Sequence, residues 1–288
     1  MISLMNYFQE PDREPCAKAM PRIWWCPTGP LAFLPIHAAG IYTRSTGIAT
    51  QCLADFAVSS YIPTVDALLK ARKSVENAEA RAPTGLLIVS QPNTPKQVPI
   101  LGAADEANKI AGQLEKRGIP SLTLVDKSGT IKSVSDAMSS FSCIHLACHA
   151  LQNTMSPLKT SIFLHDGPFE LSEIMKKNLP NSDFAFLSAC QTSTGDRNLP
   201  EEAVHLAAGM LAAGYRSVVG TMWSIADAHG PEIAERFYKS LLDDSAERTI
   251  DGARAARALH CATRLFREKL SDHRDSLLVW VPYIHIGI

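Results

Sequence analysis

Two stretches carry the argument, CIHLACHA at Cys143–Ala150 and FAFLSACQTSTGD at Phe184–Asp196. Each is an apolar run of strand length that stops at a reactive side chain, His149 in the first and Cys190 in the second. A loop-like stretch follows each: ALQNT after His149, turning polar at Gln152, and the wholly polar QTSTGD after Cys190, with no apolar residue before Leu199. Runs that are apolar on both faces read as buried strands of a parallel sheet. In such a sheet, ligands and catalytic groups gather beyond the carboxyl ends of the strands. A thiol and an imidazole are therefore placed where side chains leave the core.

The rest of the chain repeats the alternation. Ile23–Cys26, Phe56–Tyr61, Leu86–Ser90, Leu122–Val125 and Ser217–Trp223 also read as strands. Between them, Ala107, Ile110, Ala111 and Leu114 recur at helical spacing, with Gly118 where a C-terminal cap belongs. Pro200 opens a second helix and Gly214 closes it, and a last helix is expected roughly from Asp251 to Leu270. Strand, helix and strand in repetition predict one α/β domain, with a mostly parallel sheet covered on both faces. The Pro-rich Ser90–Gly102 stretch reads as a surface loop rather than a linker.

Composition narrows the function. The net charge of −1 over 288 residues gives no footprint for nucleic acid or an anionic membrane. The N-terminal residues lack a basic leader with a long apolar core, and LLVWVPYIHIGI is too short to span a bilayer. A soluble cytoplasmic protein is expected. Seven cysteines, an odd number without paired spacing, fit mostly free thiols in a reducing compartment.

A cysteine alone is a weak nucleophile at neutral pH, because little of it is thiolate. It needs a base, and His149 stands at the corresponding end of the other strand. Adjacent strands lie about 4.8 Å apart, so the pair can meet if these strands are neighbours. Both residues also have plain structural uses, as a buried thiol and a satisfied loop histidine. A zinc site from Cys143, His145, Cys148 and His149 is disfavoured, because alternation on a strand turns Cys148 away from the other three. Ser188 is expected one layer below Cys190, in the core. No phosphate-binding loop, HExxH or GxSxG motif is present.

At the level of motifs, Arg22–Gly40 (RIWWCPTGPLAFLPIHAAG), CIHLACHA, FLSACQT, Ala207–Asp227 (AAGMLAAGYRSVVGTMWSIAD) and the terminal WVPYIHIGI together resemble the CHAT domain. This caspase-like family often follows tetratricopeptide repeats, and its fungal members look nearest. The resemblance implies a three-layer α/β/α sandwich over residues 22–288, with 1–21 as a lead-in that is either truncated or disordered. It implies a cysteine endopeptidase of the caspase and separase clan, in a signalling or cell-death-type pathway. His149 matches the dyad base and Cys190 the nucleophile, with the backbone N–H groups of Ala150 and Cys190 as oxyanion donors. Asp227 matches a family aspartate and is a candidate for binding a basic P1 side chain, or else a helix cap. His145 matches a second family histidine and reads as structural, and His37 as fixing a turn. Ala150 stands where many relatives have glycine, and Gln191 where many have an acid. No cofactor is implied, and no oxygen-ligand cluster for calcium is seen. Expected partners are a protein or peptide substrate and a regulatory sensor or tetratricopeptide-repeat protein. The alternative is a non-catalytic signalling domain that keeps the fold.

Overall fold

The computed structural model describes residues 20–42, 49–69, 85–151, 153, 156–188, 202–223, 225, 229–243, 249–270 and 276–288. Its centre is an eight-stranded sheet of β1 (Arg22–Trp25), β4 (Val58–Tyr61), β5 (Leu86–Ser90), β6 (Ser121–Val125), β7 (Cys143–Ala147), β11 (Phe184–Leu187), β12 (Ser217–Thr221) and β13 (Tyr283–Gly287). The spatial order is β1-β4-β13-β12-β11-β7-β5-β6. Every pairing in it is parallel except that of β12 with β13. The sheet thus consists of two parallel blocks running in opposite directions, joined where the last strand of the chain inserts.

Alternation along the strands feeds two cores. Leu87, Val89, Ile144, Leu146, Ala185 and Leu187 point to one face, which is covered by α2 (Ile131–Met138), α3 (Leu171–Lys176) and α4 (Glu202–Ala213). Leu86, Ile88, Cys143, Phe184 and Phe186 point to the other, under α1 (Leu101–Arg117), α5 (Gly230–Asp243) and α6 (Ala255–Lys269). Period-two patterning on continuously apolar strands is what a three-layer sandwich requires, since both faces must be buried.

The two predicted glycine stops hold. Gly118 takes the left-handed conformation (φ 65°), and its N–H bonds to the carbonyls of Leu114 and Glu115. Gly214 has φ 122°, and a Cβ there would lie 2.4 Å from the Leu179 carbonyl oxygen. A side chain at that position would clash with backbone.

Between β7 and β11 a strand–helix–strand repeat would place one crossover helix. The chain instead makes β8 (Ala150–Leu151), β9 (Ser161–Leu164) and β10 (Gly167–Glu170), a small antiparallel sheet in the order β10-β9-β8, before α3. A tight turn at His165–Asp166 joins β9 to β10, with Gly167 at φ 146°. Strands of two to four residues are too short to show a period. β2 (Gly40–Tyr42) and β3 (Ala49–Cys52) pair antiparallel as a separate two-stranded sheet. The final helix, α7 (Ser276–Trp280), leads into β13. Among the described residues, no helix is long and apolar enough to cross a membrane.

Candidate active site

β7 and β11 are neighbours, parallel and in register, with Leu146 opposite Leu187. The ladder continues one residue beyond β11, where the Ser188 N–H donates to the Leu146 carbonyl at 2.9 Å. β7 and β11, which lead to His149 and Cys190 in the sequence, therefore end side by side at the same sheet edge. Cys190 and Asp227 themselves lie outside the described residues.

His149 is the second residue past β7 and is almost wholly buried, at 1% exposure. Two elements hold it. Its carbonyl accepts the Phe163 N–H of β9 at 2.8 Å, and its ring Nε2 lies 2.6 Å from the carbonyl of Val98, in the loop that leads into α1. A carbonyl only accepts, so Nε2 carries the proton and, in the neutral ring, Nδ1 carries the lone pair. Ala150 begins β8 opposite Ile162. Among the described non-glycine residues only Lys96, Asp126 and Asn178 have positive φ, so alanine sits at 150 without strain.

The other thiols of this region stay protonated. Burial pushes Cys148 up to about 12, and burial together with the Asp183 carboxylate raises Cys143 further. The two face opposite cores, Cys148 with Leu146 and Cys143 with Phe184. Neither competes as a nucleophile, since the thiolate is the reactive form. Among the described residues, no three His, Cys, Asp or Glu side chains converge as metal ligands. Cys26 and Cys52 are also free, whereas Cys261 is disulfide-bonded.

His145 is fully buried within the sheet. Its ring stacks on Phe186 at 5.0 Å, its Nδ1 lies 3.2 Å from the Tyr238 hydroxyl, and its Nε2 lies 3.2 Å from Glu106 Oε1. Glu106 was not anticipated. It had a visible signal, a carboxylate on the apolar face of α1 in line with Ala103, Ala107, Ile110 and Leu114.

His37 lies elsewhere, in a short 3-10 helix against the block of the sheet formed by β1, β4 and β13. Its Nδ1 meets the Tyr61 hydroxyl at 2.8 Å, and its Nε2 donates to the Val281 carbonyl at 2.9 Å. It borders a cavity of about 30 Å³ that His260, His285 and Trp280 also line. Burial lowers His37 to about 4, and burial with nearby Arg264 and Arg267 lowers His260 to about 4. Burial and Arg22 hold His285 well below its usual range. All three resist protonation in the folded state, while the unfolded chain takes protons near its ordinary value of about 6.5. Stability is therefore lost as pH falls from about 6.5 towards 4. By about pH 5 the loss is on the order of 2 kcal/mol each for His37 and His260. Urea unfolding at about pH 7 and pH 5 checks this, and equal stabilities would contradict it.

The same architecture occurs in solved cysteine proteinases. Gingipain R, an Arg-specific cysteine proteinase, superposes with TM-score 0.51 at 14% identity, over 80% of this chain and 54% of its own. RgpB of Porphyromonas gingivalis, in complex with its pro-domain, gives 0.51 at 15% identity, over 80% and 55%. Separase from the Saccharomyces cerevisiae separase–securin complex gives 0.53 at 12% identity, over 82% of this chain and 14% of that one. The chain thus spans about half the length of the first two and a small part of the third. At such identities the likeness concerns the fold, a caspase-like α/β/α sandwich with a mostly parallel sheet. No curated protein matches the chain. The CHAT domain model matches residues 4–288, and on that match the chain belongs to the CHAT domain family.

Proposed function

We propose that the protein is a cysteine endopeptidase in which Cys190 is the nucleophile and His149 the base. The observation that carries this reading is the parallel register of β7 and β11, the strands after which His149 and Cys190 follow in the sequence. The Val98 carbonyl supports it, because it turns the His149 lone pair to Nδ1 and leaves that atom as the base. In the proposed cycle Nδ1 takes the Cys190 proton, and the thiolate sulfur bonds to the scissile carbonyl carbon. Collapse of the adduct breaks the C–N bond as His149 returns the proton to the leaving amine. Water, deprotonated by His149, then releases the acyl group from sulfur. The oxyanion donors would be the backbone N–H groups of Ala150 and Cys190.

A protein or peptide is the substrate class this chemistry implies, and a signalling or cell-death-type setting is the one we infer from the family. A regulator such as a sensor or tetratricopeptide-repeat protein would act on the same domain. Asp227 would bind a basic P1 side chain, at the end of a segment following β12, a strand that lies beside β11. The test is cleavage of peptides that differ only at P1, with products identified by mass spectrometry. Cleavage by the full chain but not by Cys190→Ala is expected, faster after Arg or Lys than after Leu. Cleavage that survives Cys190→Ala would overturn the nucleophile assignment. Equal rates after Arg, Lys and Leu would remove the role of Asp227.

A further inference from the structure

Beneath the sheet edge that carries His149 lies a buried polar junction. Glu106, on α1, is 3% exposed, and its two carboxylate oxygens reach different strands. Oε1 lies 3.2 Å from Nε2 of His145 on β7, and Oε2 accepts the Ser188 hydroxyl at 3.0 Å, immediately beyond β11. His145 is braced from behind by the Tyr238 hydroxyl of α5 and by the Phe186 ring. α5 begins at Gly230, where a Cβ would stand only 3.4 Å from Glu106 Oε2 and 3.8 Å from Ser188 Oγ. The positive end of that helix thus closes on the carboxylate.

The cost of this arrangement argues for a use. A carboxyl group in the core loses its hydration, and burying a polar group is costly unless it is hydrogen-bonded. Packing alone does not call for one here. What the carboxyl group does that an apolar side chain cannot is accept the Ser188 hydroxyl just beyond β11 with one oxygen while the other stands 3.2 Å from the His145 ring on β7. Ser188 is two residues before Cys190, and His145 is four before His149. The same helix starts three residues after Val98, whose carbonyl receives the His149 ring. Two contacts from α1 and one from the loop before it therefore reach the strands that lead to the proposed dyad.

We infer that Glu106 is a positioning residue: through Ser188 and His145 it fixes the segment bearing Cys190 against the one bearing His149. This rests on the dyad reading above. Glu106 touches no reacting atom, and its effect is on how well Nδ1 of His149 meets the thiol.

The test uses the full 288-residue chain. Wild type, Glu106→Gln and Ser188→Ala are treated with iodoacetamide across a pH series. The rate of adduct formation at Cys190 is followed by mass spectrometry, with thermal melts in parallel. Glu106→Gln is expected to slow Cys190 labelling about tenfold near pH 6.5 and to move its inflection towards the ordinary thiol value of about 8.5. Ser188→Ala should shift the profile the same way by less, with little change in melting. A purely structural Glu106 would lower melting while leaving the pH profile in place, and that result overturns the inference. If Glu106→Gln does not fold, Ser188→Ala decides alone, and an unshifted profile there counts against the inference. A wild type that itself labels like an ordinary thiol would instead remove the dyad reading, and this inference with it.

Discussion

Near pH 6.5 an iodoacetamide probe is expected to label Cys190 roughly fifty-fold faster than an unassisted thiol, and His149→Ala is expected to abolish that advantage. An unperturbed cysteine with a pKa of about 8.5 is only about 1% thiolate at this pH, whereas a thiol paired with an imidazole is half thiolate or more. The molecule supplies its own standards. Cys26 is an exposed free thiol and serves as the internal reference. Cys52 is buried and raised to about 11, and Cys148 is raised to about 12, so both should stay silent. The His149 ring is held by the Val98 carbonyl, so its removal to alanine also breaks a contact between the loop before α1 and the end of β7. A parallel melt separates the two effects. If Cys190 and Cys26 label at the same rate in the folded wild type, the thiol is not activated, and a non-catalytic role for the fold becomes the better account.

The strand ends that lead to the candidate residues were legible because their signal is local. A strand that runs out of apolar residues at Cys190 or His149 can be read from a dozen letters, and parallel-sheet chemistry says which end matters. The layers were legible for the same reason: β5 matches the expected Leu86–Ser90 run, and α1 ends at the expected glycine. What could not be read was set by long-range pairing. Tyr283–Gly287 reads as an apolar tail, and only its insertion between β4 and β12 makes it the strand that reverses the sheet. Val98 looks like an ordinary loop residue, since the group that matters there is its backbone carbonyl, which every residue has. Glu106 was visible as an oddity on an apolar helix face, but its partners His145 and Ser188 are distant in sequence. His37, by contrast, had been expected to fix a turn, and its bonds to Tyr61 and Val281 do tie the 3-10 helix to the sheet.

The largest effect on stability is expected at Phe186, midway along β11. It is 1% exposed, stacked on His145 at 5.0 Å and tilted 26° from it, with Phe237 at 5.0 Å and Tyr238 at 6.0 Å. Alanine there removes a whole ring from a close-packed aromatic cluster between the sheet and α5. The lost transfer energy and the cavity left behind together cost about 3–5 kcal/mol. For a chain of this size that lowers the melting temperature by roughly 10 °C. Phe186→Leu keeps most of the volume and should cost only about 1.5 kcal/mol, with the remainder of the gap due to ring geometry. Urea unfolding of the three proteins measures both steps. Such a cavity would open against the face of His145, so the alanine variant should also slow Cys190 labelling beyond what the leucine variant does. Two variants of equal stability would mean that the cluster closes over the missing ring. Phe186 would then be one apolar residue among many, and not the support on which His145 and the end of β11 rest.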